Sequence, residues 1–244
     1  IGVSMTGIGS AAVLQLDMQE AASIVKKENS RVAKLIGINR AARTTCIKPA
    51  GTTSLVLGTS SGIHAWHNDY YIRRLRVGKN ESIYGYLKTQ HPELIKDEYF
   101  RPHDTAVIEI PQSAPKGSIL RTESAFDLLK RVKKVATEWV KPGHRAGSNT
   151  HNVSATISLK EEDWKKAGKW MWDNREYYNG LSVLPYDGGT YTQAPFEDVT
   201  KKEFEKLVKH LHDINLEHVR EETDETDLSG ELACAGGSCE ITSL

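Results

Sequence analysis

The sequence predicts an α/β fold, because segments with strand character alternate with segments of helical periodicity. The clearest helix covers residues 124–140, where apolar side chains follow helical spacing and Lys141-Pro142-Gly143 ends the pattern. The clearest strand is TAVIEIP at 105–111, which is rich in β-branched and apolar residues. Alternation of this kind is typical of an α/β protein with a largely parallel sheet or a barrel.

The remaining elements are assigned from periodicity and from the residues that end each run. The opening stretch IGVSMTGIGSAAVLQL has the pattern of a buried strand that turns through glycine into a helix. The acidic start of EEDWKKAGKWMWDN favours a helix, because acidic groups stabilise helix N-termini. The further predicted strands are 44–48, 70–78, 152–159 and 181–185, and the further predicted helices are 20–38, 161–174 and 200–214.

Composition excludes several classes of protein. The 244 residues carry 32 Lys and Arg against 32 Asp and Glu, and a net charge of zero argues against a nucleic-acid binder. No apolar run reaches the roughly 18 residues of a membrane span, and no signal peptide is visible. Three cysteines in a chain of this length favour a reducing, cytoplasmic location. Since the chain opens with Ile1 inside an apolar stretch, we expect a fragment whose N-terminus lies upstream.

The chain divides into a folded part, 1–217, and a tail, 218–244. The tail combines a strongly acidic stretch with few large apolar residues and a glycine pair. Such a segment cannot bury enough apolar surface to fold alone. We therefore expect 218–244 to be flexible.

The stretch KPAGTTSLVLGTSSGI, residues 48–63, follows a predicted strand and contains two small, hydroxyl-rich clusters. Backbone N–H groups at the start of a helix lack partners and can hold an anion such as phosphate. Gly51 would let the backbone approach closely, while Thr52, Thr53 and Ser54 would add hydroxyl donors. The stretch is not a Walker motif, since no Gly-Lys-Ser/Thr follows. A helix cap with a tight turn explains the same residues.

Several blocks resemble adenosylcobalamin-dependent, class II ribonucleotide reductases. They are KPAGTTSLVLGTSSGIH with YYIRRLRV, the opening IGVSMTGI, NTHNVSATISL, LSVLPYDGGTYTQAPFE and the terminal ELACAGGSCEI. The last block is most similar to the monomeric ribonucleoside-triphosphate reductases. The resemblance implies the C-terminal part of a ten-stranded α/β barrel. It also implies adenosylcobalamin as cofactor, a ribonucleoside triphosphate as substrate, and a nucleotide effector.

The resemblance also assigns the hydroxyl-rich stretch. In the family, the loop after a late barrel strand binds the substrate phosphates, and the matching positions here are Ala50, Gly51, Thr52, Thr53 and Ser54. Many relatives have Ser or Thr where this chain has Ala50. One side-chain donor is therefore absent, and that position offers only its backbone.

Cys234 and Cys239 flank Ala-Gly-Gly-Ser, a turn flexible enough for the two sulfurs to meet. The chemistry of the two cysteines alone allows a redox pair, half of a metal site or a coincidence. A metal site would need two further ligands, and the nearby histidines are in or beside a predicted helix. The resemblance implies a dithiol shuttle that re-reduces the active-site disulfide and takes electrons from thioredoxin or a similar dithiol. The tether 218–233 would span roughly 20–24 Å as a random coil.

Other features have a plain interpretation beside the functional one. The radical cysteine of the family lies upstream of the matched region, and Cys46 is interpreted as a small buried hydrophobe. His64 and His67 could be ligands, but packing explains them better. The paired tyrosines at 70–71 are interpreted as strand residues, and the arginines at 73, 74 and 76 as a solvated or salt-bridged strand edge, although one could approach phosphate or cofactor.

These expectations combine into one hypothesis and its alternatives. The chain would supply the phosphate loop and the dithiol shuttle of a radical reductase that forms 2′-deoxyribonucleoside triphosphates. The alternative is a non-catalytic nucleotide-binding or regulatory remnant of a reductase. An independent thiol oxidoreductase is disfavoured, because Cys234 and Cys239 do not lie at a strand–helix junction.

Overall fold

The computed structural model describes residues 1–186, 188, 191–209 and 211–221, with the side chain of Thr52 left aside. The chain forms two compact units. The first unit comprises Ile1–Trp66 and Pro115–Asp187. The second comprises His67–Ala114 and the chain from Gly188 onward. The predicted tail beyond residue 221, including Cys234 and Cys239, lies outside the described residues.

Strands and helices alternate through much of the chain. The strands are β1 (Val3–Ser4), β2 (Thr45–Cys46), β3 (Tyr70–Gly78), β4 (Ile95–Asp97), β5 (Thr105–Ser113), β6 (Thr156–Leu159), β7 (Ser182–Pro185) and β8 (Phe196–Asp198). The α-helices are α1 (Met18–Leu35), α2 (Gly51–Val56), α3 (Ser82–Gln90), α4 (Ala125–Val135), α5 (Trp164–Asp173) and α6 (Lys201–Val208). The fold is mixed α/β, as the sequence predicts.

The strands of the first unit run parallel. β1 pairs with β2, and β6 pairs with β7, both in parallel register. A parallel bridge between Ile47 and Val153 joins the two pairs, with Ile47 N–H donating to Asn152 O at 3.1 Å and Ser154 N–H donating to Ile47 O at 3.0 Å. Because the carboxyl ends of parallel strands share one edge, the loop after β2 opens at the same end as the loops after β6 and β7.

Helix α4 supplies much of the core of the first unit. Ser124, predicted as the first helical residue, instead caps the helix by accepting a hydrogen bond from Asp127 N–H. Leu129, Val132 and Val135 are completely buried, as is Ile47 beside β2. At Ala136–Val140 the helix widens into one π-helical turn, so the predicted helix to residue 140 is continuous but changes its hydrogen-bonding pattern.

The second unit is built on an antiparallel sheet with strand order β4-β5-β3-β8. β3 and β5 pair along nine residues, from Tyr70 opposite Ser113 to Gly78 opposite Thr105. The expectation of a largely parallel sheet is therefore wrong for this unit. The prediction failed because strand β4 was missed. β4 forms an antiparallel hairpin with β5, and such a hairpin needs no crossover helix.

Other boundaries differ from the predicted ones for identifiable reasons. The opening strand is only two residues long and exposed, since β1 pairs with β2 on one side only. The helix predicted at 200–214 ends at Val208, although its start is fixed by a capping box between Thr200 and Glu203. Helix α3 was not predicted, because Gly85 interrupts its weak apolar pattern.

None of the helices in the described part of the chain is long and apolar enough to cross a membrane. Among the same residues, no group of three or more His, Cys, Asp or Glu side chains is arranged to hold a metal ion.

Candidate phosphate-binding site

The candidate site begins where β2 leads into α2. The residues Ile47–Ala50 connect the strand to the helix, and Ser54 N–H closes the first helical turn by donating to Ala50 O at 2.8 Å. No side chain caps this helix at Ala50. The backbone N–H groups of the first turn that follow Ala50 therefore have neither an intrahelical acceptor nor a side-chain cap.

Gly51 faces open space. A Cβ atom on Gly51 would meet no atom of another residue within 4 Å, apart from its chain neighbours and the backbone of its own helix, and the backbone of Gly51 is not in the left-handed region. The glycine is thus required neither by the turn nor by internal packing. What the glycine does provide is unhindered access for another molecule to the N–H groups of the first turn.

The predicted hydroxyl donors do not all face the same way. Ser54 is buried, and its Oγ donates to Gly51 O at 3.0 Å, so this hydroxyl stabilises the helical turn. Thr53 is exposed. Of the hydroxyls of these two residues, that of Thr53 is the one accessible to a ligand.

Ala50 is fixed by the second hydroxyl-rich cluster of the same loop. The N–H of Ala50 donates to Ser61 Oγ at 3.0 Å. The backbone donor expected of Ala50 is therefore already occupied within the protein. Ala50 therefore fixes where α2 begins, because the side chain of Ser61, 11 residues further along, holds its N–H.

The cluster that contains Ser61 is itself locked against the loop after β1. Thr6 Oγ1 donates to Ser60 O at 3.0 Å and accepts from Gly62 N–H at 2.8 Å. Gly9 N–H donates to Ser60 Oγ at 3.1 Å, and this close approach leaves no room for a Cβ on Gly9. The two small-residue stretches of the sequence thus pack backbone to backbone, which explains their composition.

His64 connects the same cluster to β6. Its Nδ1 lies 3.2 Å from Ser61 O, and its Nε2 lies 3.0 Å from the backbone nitrogen of Thr156. A carbonyl oxygen only accepts and an amide N–H only donates, so His64 must be neutral with its proton on Nδ1. Burial lowers the pKa of His64, in agreement with this neutral form. The packing interpretation of His64 is confirmed.

A buried ion pair supports the segment on its other side. Arg131 on α4 forms two hydrogen bonds of 2.6 Å each with the carboxylate of Glu123, and its Nε donates to Ile63 O at 3.2 Å. The side chains are only 6% and 14% exposed. Ile63 is therefore held by Arg131, while its neighbour His64 is held separately by Ser61 and Thr156.

His67 and Cys46, which were also singled out in the sequence, have structural rather than catalytic surroundings. His67 Nε2 lies 2.9 Å from Asp198 Oδ1, and its ring stacks on Phe196, so packing is again confirmed. Cys46 lies on β2 and is half-buried rather than buried, and burial raises the pKa of its thiol. Its thiol is therefore protonated and weakly nucleophilic near neutral pH.

The arginines of β3 are paired within the second unit. Arg74 bonds to Glu109 at 2.7 Å and to Glu197 at 2.5 Å, and Arg76 lies 3.4 Å from Glu98. The guanidinium of Arg73 stacks on Phe196, 4.2 Å from the ring centroid. The salt-bridged interpretation is right for Arg74 and Arg76, but the strand is not an edge, since β3 lies between β5 and β8.

The loop is recognisable in the sequence, but the residues that hold it are not. Ser61 is 11 residues from its partner Ala50 along the chain, and His64 is 92 residues from its partner Thr156. The available signal was the second small-residue cluster, 58–62, directly before His64. Its composition indicated close backbone packing, without saying what it packs against.

Comparison with solved structures first defines the class. The fold is similar to a B12-dependent, class II ribonucleotide reductase, with a TM-score of 0.70, 22% identity, and coverage of 90% of this chain and 34% of that one. This match establishes the fold as α/β of the class II reductase type. No family model matches the chain.

Curated relatives make the assignment more specific. The chain is 25% identical over 260 aligned positions to the adenosylcobalamin-dependent ribonucleoside-triphosphate reductase of Euglena gracilis, covering 98% of this chain and 33% of that protein. It is 28% identical to the enzyme of the same name from Lactobacillus gasseri, over 84% of this chain and 27% of that protein. The chain is therefore similar over most of its length to reductases of this name. It spans about a third of the length of the curated relatives it matches.

Proposed function

We propose that this chain is part of an adenosylcobalamin-dependent ribonucleoside-triphosphate reductase, which forms 2′-deoxyribonucleoside triphosphates by a radical mechanism. The observation that carries the proposal is the shared name of relatives that align with most of the chain. The motifs KPAGTTS and SSGIH, which suggested the family, coincide with the α2 turn and the cluster that fixes it.

In this proposal the start of α2 binds the substrate phosphates. Gly51, Thr52 and Thr53 would donate backbone N–H groups, and the hydroxyl of Thr53 would add a further donor. Ala50 and Ser54 belong to the same site but hold its backbone, through Ser61 and through the Gly51 carbonyl. Each charge-assisted hydrogen bond would contribute roughly 1.5–3 kcal/mol.

We assign the electron supply to the tail. Cys234 and Cys239 would form a dithiol that exchanges with the active-site disulfide and is then reduced by thioredoxin or a similar dithiol protein. The proposal rests on their spacing in the sequence and on the resemblance of ELACAGGSCEI to the family. A nucleotide effector is expected on the same family grounds, and the low cysteine content favours a cytoplasmic protein.

The two histidines singled out as possible ligands are already engaged in contacts within the protein. Both ring nitrogens of His64 are hydrogen-bonded within the protein, and His67 is paired with Asp198. Adenosylcobalamin would supply the radical chemistry of the reductase. We assign no residue of this chain to it and derive no step through it.

The decisive experiment is an assay of the whole protein with ribonucleoside triphosphate, adenosylcobalamin and a dithiol reductant. The proposal expects deoxyribonucleotide formation that depends on the cofactor, with binding weaker for the unphosphorylated ribonucleoside. The corresponding diphosphate is the informative competitor. A protein that binds nucleotide but forms no product under these conditions would instead be the non-catalytic remnant.

A further inference from the structure

We infer that His64 is a positioning residue for the phosphate site: it holds Ser61, and through Ser61 the start of α2, in the geometry that accepts an anion. The inference rests on the proposed function of that site. It assigns a role to a residue that touches neither Gly51 nor any other proposed phosphate contact directly.

The contacts form one continuous chain. Thr156 N–H at the start of β6 donates to His64 Nε2, and His64 Nδ1–H donates to the carbonyl of Ser61. The hydroxyl of Ser61 then accepts the N–H of Ala50, where α2 begins. Since α2 has only 6 residues, its orientation depends on such external contacts rather than on its own stability.

The arrangement requires neutral His64. A protonated ring would present an N–H to the Thr156 N–H, so one of the two hydrogen bonds would be lost. The charged groups that influence the ring are Arg131, which disfavours its protonation, and Glu123, which favours it. Arg131 and Glu123 are paired with each other, so their opposite effects on the pKa of His64 largely cancel. Burial is the main cause of the lowered pKa.

Two substitutions separate the two hydrogen bonds of the ring. In His64→Asn the side-chain amide lies where Nδ1 lies and can still donate to Ser61. In His64→Gln the amide reaches the position of Nε2, so it can accept from Thr156, while the Ser61 carbonyl keeps only the backbone N–H of residue 64, at 3.0 Å in the wild type. Both variants lose the imidazole, and only the second loses the side-chain hydrogen bond to Ser61.

The experiment measures the affinity of the whole protein for inorganic triphosphate and for a ribonucleoside triphosphate. His64→Gln and Ser61→Ala should weaken both affinities by about three- to tenfold, since one net hydrogen bond is worth about 0.5–1.5 kcal/mol. His64→Asn should stay close to the wild type. In turnover, KM should rise in the first two variants while kcat changes little.

Ser10→Ala is the matched control for Ser61→Ala. It removes the acceptor of the Trp66 indole N–H, at 2.9 Å, and so weakens the same segment without touching Ala50. Its affinity for triphosphate should equal that of the wild type even if its melting temperature falls. Unchanged affinity in His64→Gln and Ser61→Ala, or equal losses in His64→Asn and His64→Gln, would overturn the inference.

The result also separates this inference from the proposed function. If Gly51→Val weakens triphosphate binding but His64→Gln does not, the phosphate site stands and the positioning role falls. If the wild type binds no triphosphate, both fall together.

Discussion

Gly62 lies so close to Lys48 that a Cβ on Gly62 would come within 2.8 Å of the Lys48 carbonyl oxygen. The two residues lie at the two ends of the loop 48–62, which we propose to bind phosphate, one before α2 and one after it. This contact closes the loop into a compact unit. Gly62 also has a φ of 54°, in the left-handed region that favours glycine.

Gly62→Ala should therefore destabilise the first unit for two separate reasons. The left-handed backbone costs about 1–2 kcal/mol for a residue with a side chain. The clash with Lys48 should add about 1–3 kcal/mol, as overpacking does elsewhere. The free energy of unfolding, measured by denaturant titration, gives the sum.

Gly37→Ala separates these two contributions. Gly37 follows the end of α1 with a φ of 73°, but a side chain there would meet no atom within 4 Å. It should show the backbone cost alone. Equal losses of stability in the two variants would mean that the loop gives way at Lys48 without cost.

Gly51→Val tests the phosphate assignment. A β-branched side chain in the open space at Gly51 should obstruct the first-turn N–H groups and raise the substrate KM by about tenfold or more, the equivalent of losing one charge-assisted hydrogen bond. Steady-state kinetics on the whole protein measure KM and kcat.

Gly168→Val serves as its matched control. Gly168 is also a helical glycine with no atom within 4 Å of a built side chain, but it lies on α5. Its KM should match the wild type. If Gly51→Val folds normally and also keeps the wild-type KM, α2 does not bind the phosphates.

The pH dependence of stability should carry a contribution from His64. Burial lowers its pKa below the ordinary 6.5, so the unfolded chain binds more protons than the folded one just below that pH. The contribution is complete above pH 6.5 and is lost as the pH falls towards the lowered pKa of the folded protein. Acid should therefore destabilise the wild type in this window.

His151 would contribute to the same pH dependence, because burial also lowers its pKa. A comparison of the wild type with His64→Gln isolates the contribution of His64. The stability difference between wild type and His64→Gln should shrink from about pH 7.5 to about pH 5. Chemical denaturation at each pH gives both values. A difference that stays constant over this range would show that His64 titrates alike in the folded and unfolded chains.

The sequence predicted what depends on local pattern and missed what depends on distant pairing. The periodicity of 124–140 and its stop at Lys141-Pro142-Gly143 identified α4, and the β-branched run at 105–111 identified β5. β8 has only three residues and exists because Tyr71–Arg73 pair with it. Short strands of this kind carry little propensity of their own, and their partners lie far along the chain.

The same distinction explains the candidate site. Gly51 and its neighbours were predicted because small and hydroxyl-bearing residues signal a turn that can bind an anion. The bond from Ala50 to Ser61 and the two bonds of His64 could not be predicted, since the sequence does not say which buried donor meets which acceptor. A histidine beside a tryptophan has the same appearance whether it positions a loop or fills a core.

The tail cysteines give the last prediction. If Cys234 and Cys239 shuttle electrons, replacing both with Ser should leave the first turnover intact, because the active-site dithiol starts reduced. Later turnovers with thioredoxin should fail. Dithiothreitol should restore much of the activity, since a small reductant can reach the buried disulfide directly. Product counted per enzyme before the steady state, with each reductant in turn, measures this.

Cys46→Ala is the control, because burial raises the pKa of that thiol and disfavours exchange. It should turn over repeatedly with thioredoxin. If the tail pair instead binds a structural metal, the double variant should lose stability and dithiothreitol should rescue nothing. Repeated turnover of the double variant with thioredoxin would rule the shuttle out, because electrons would then reach the active site by a route that does not use the tail cysteines.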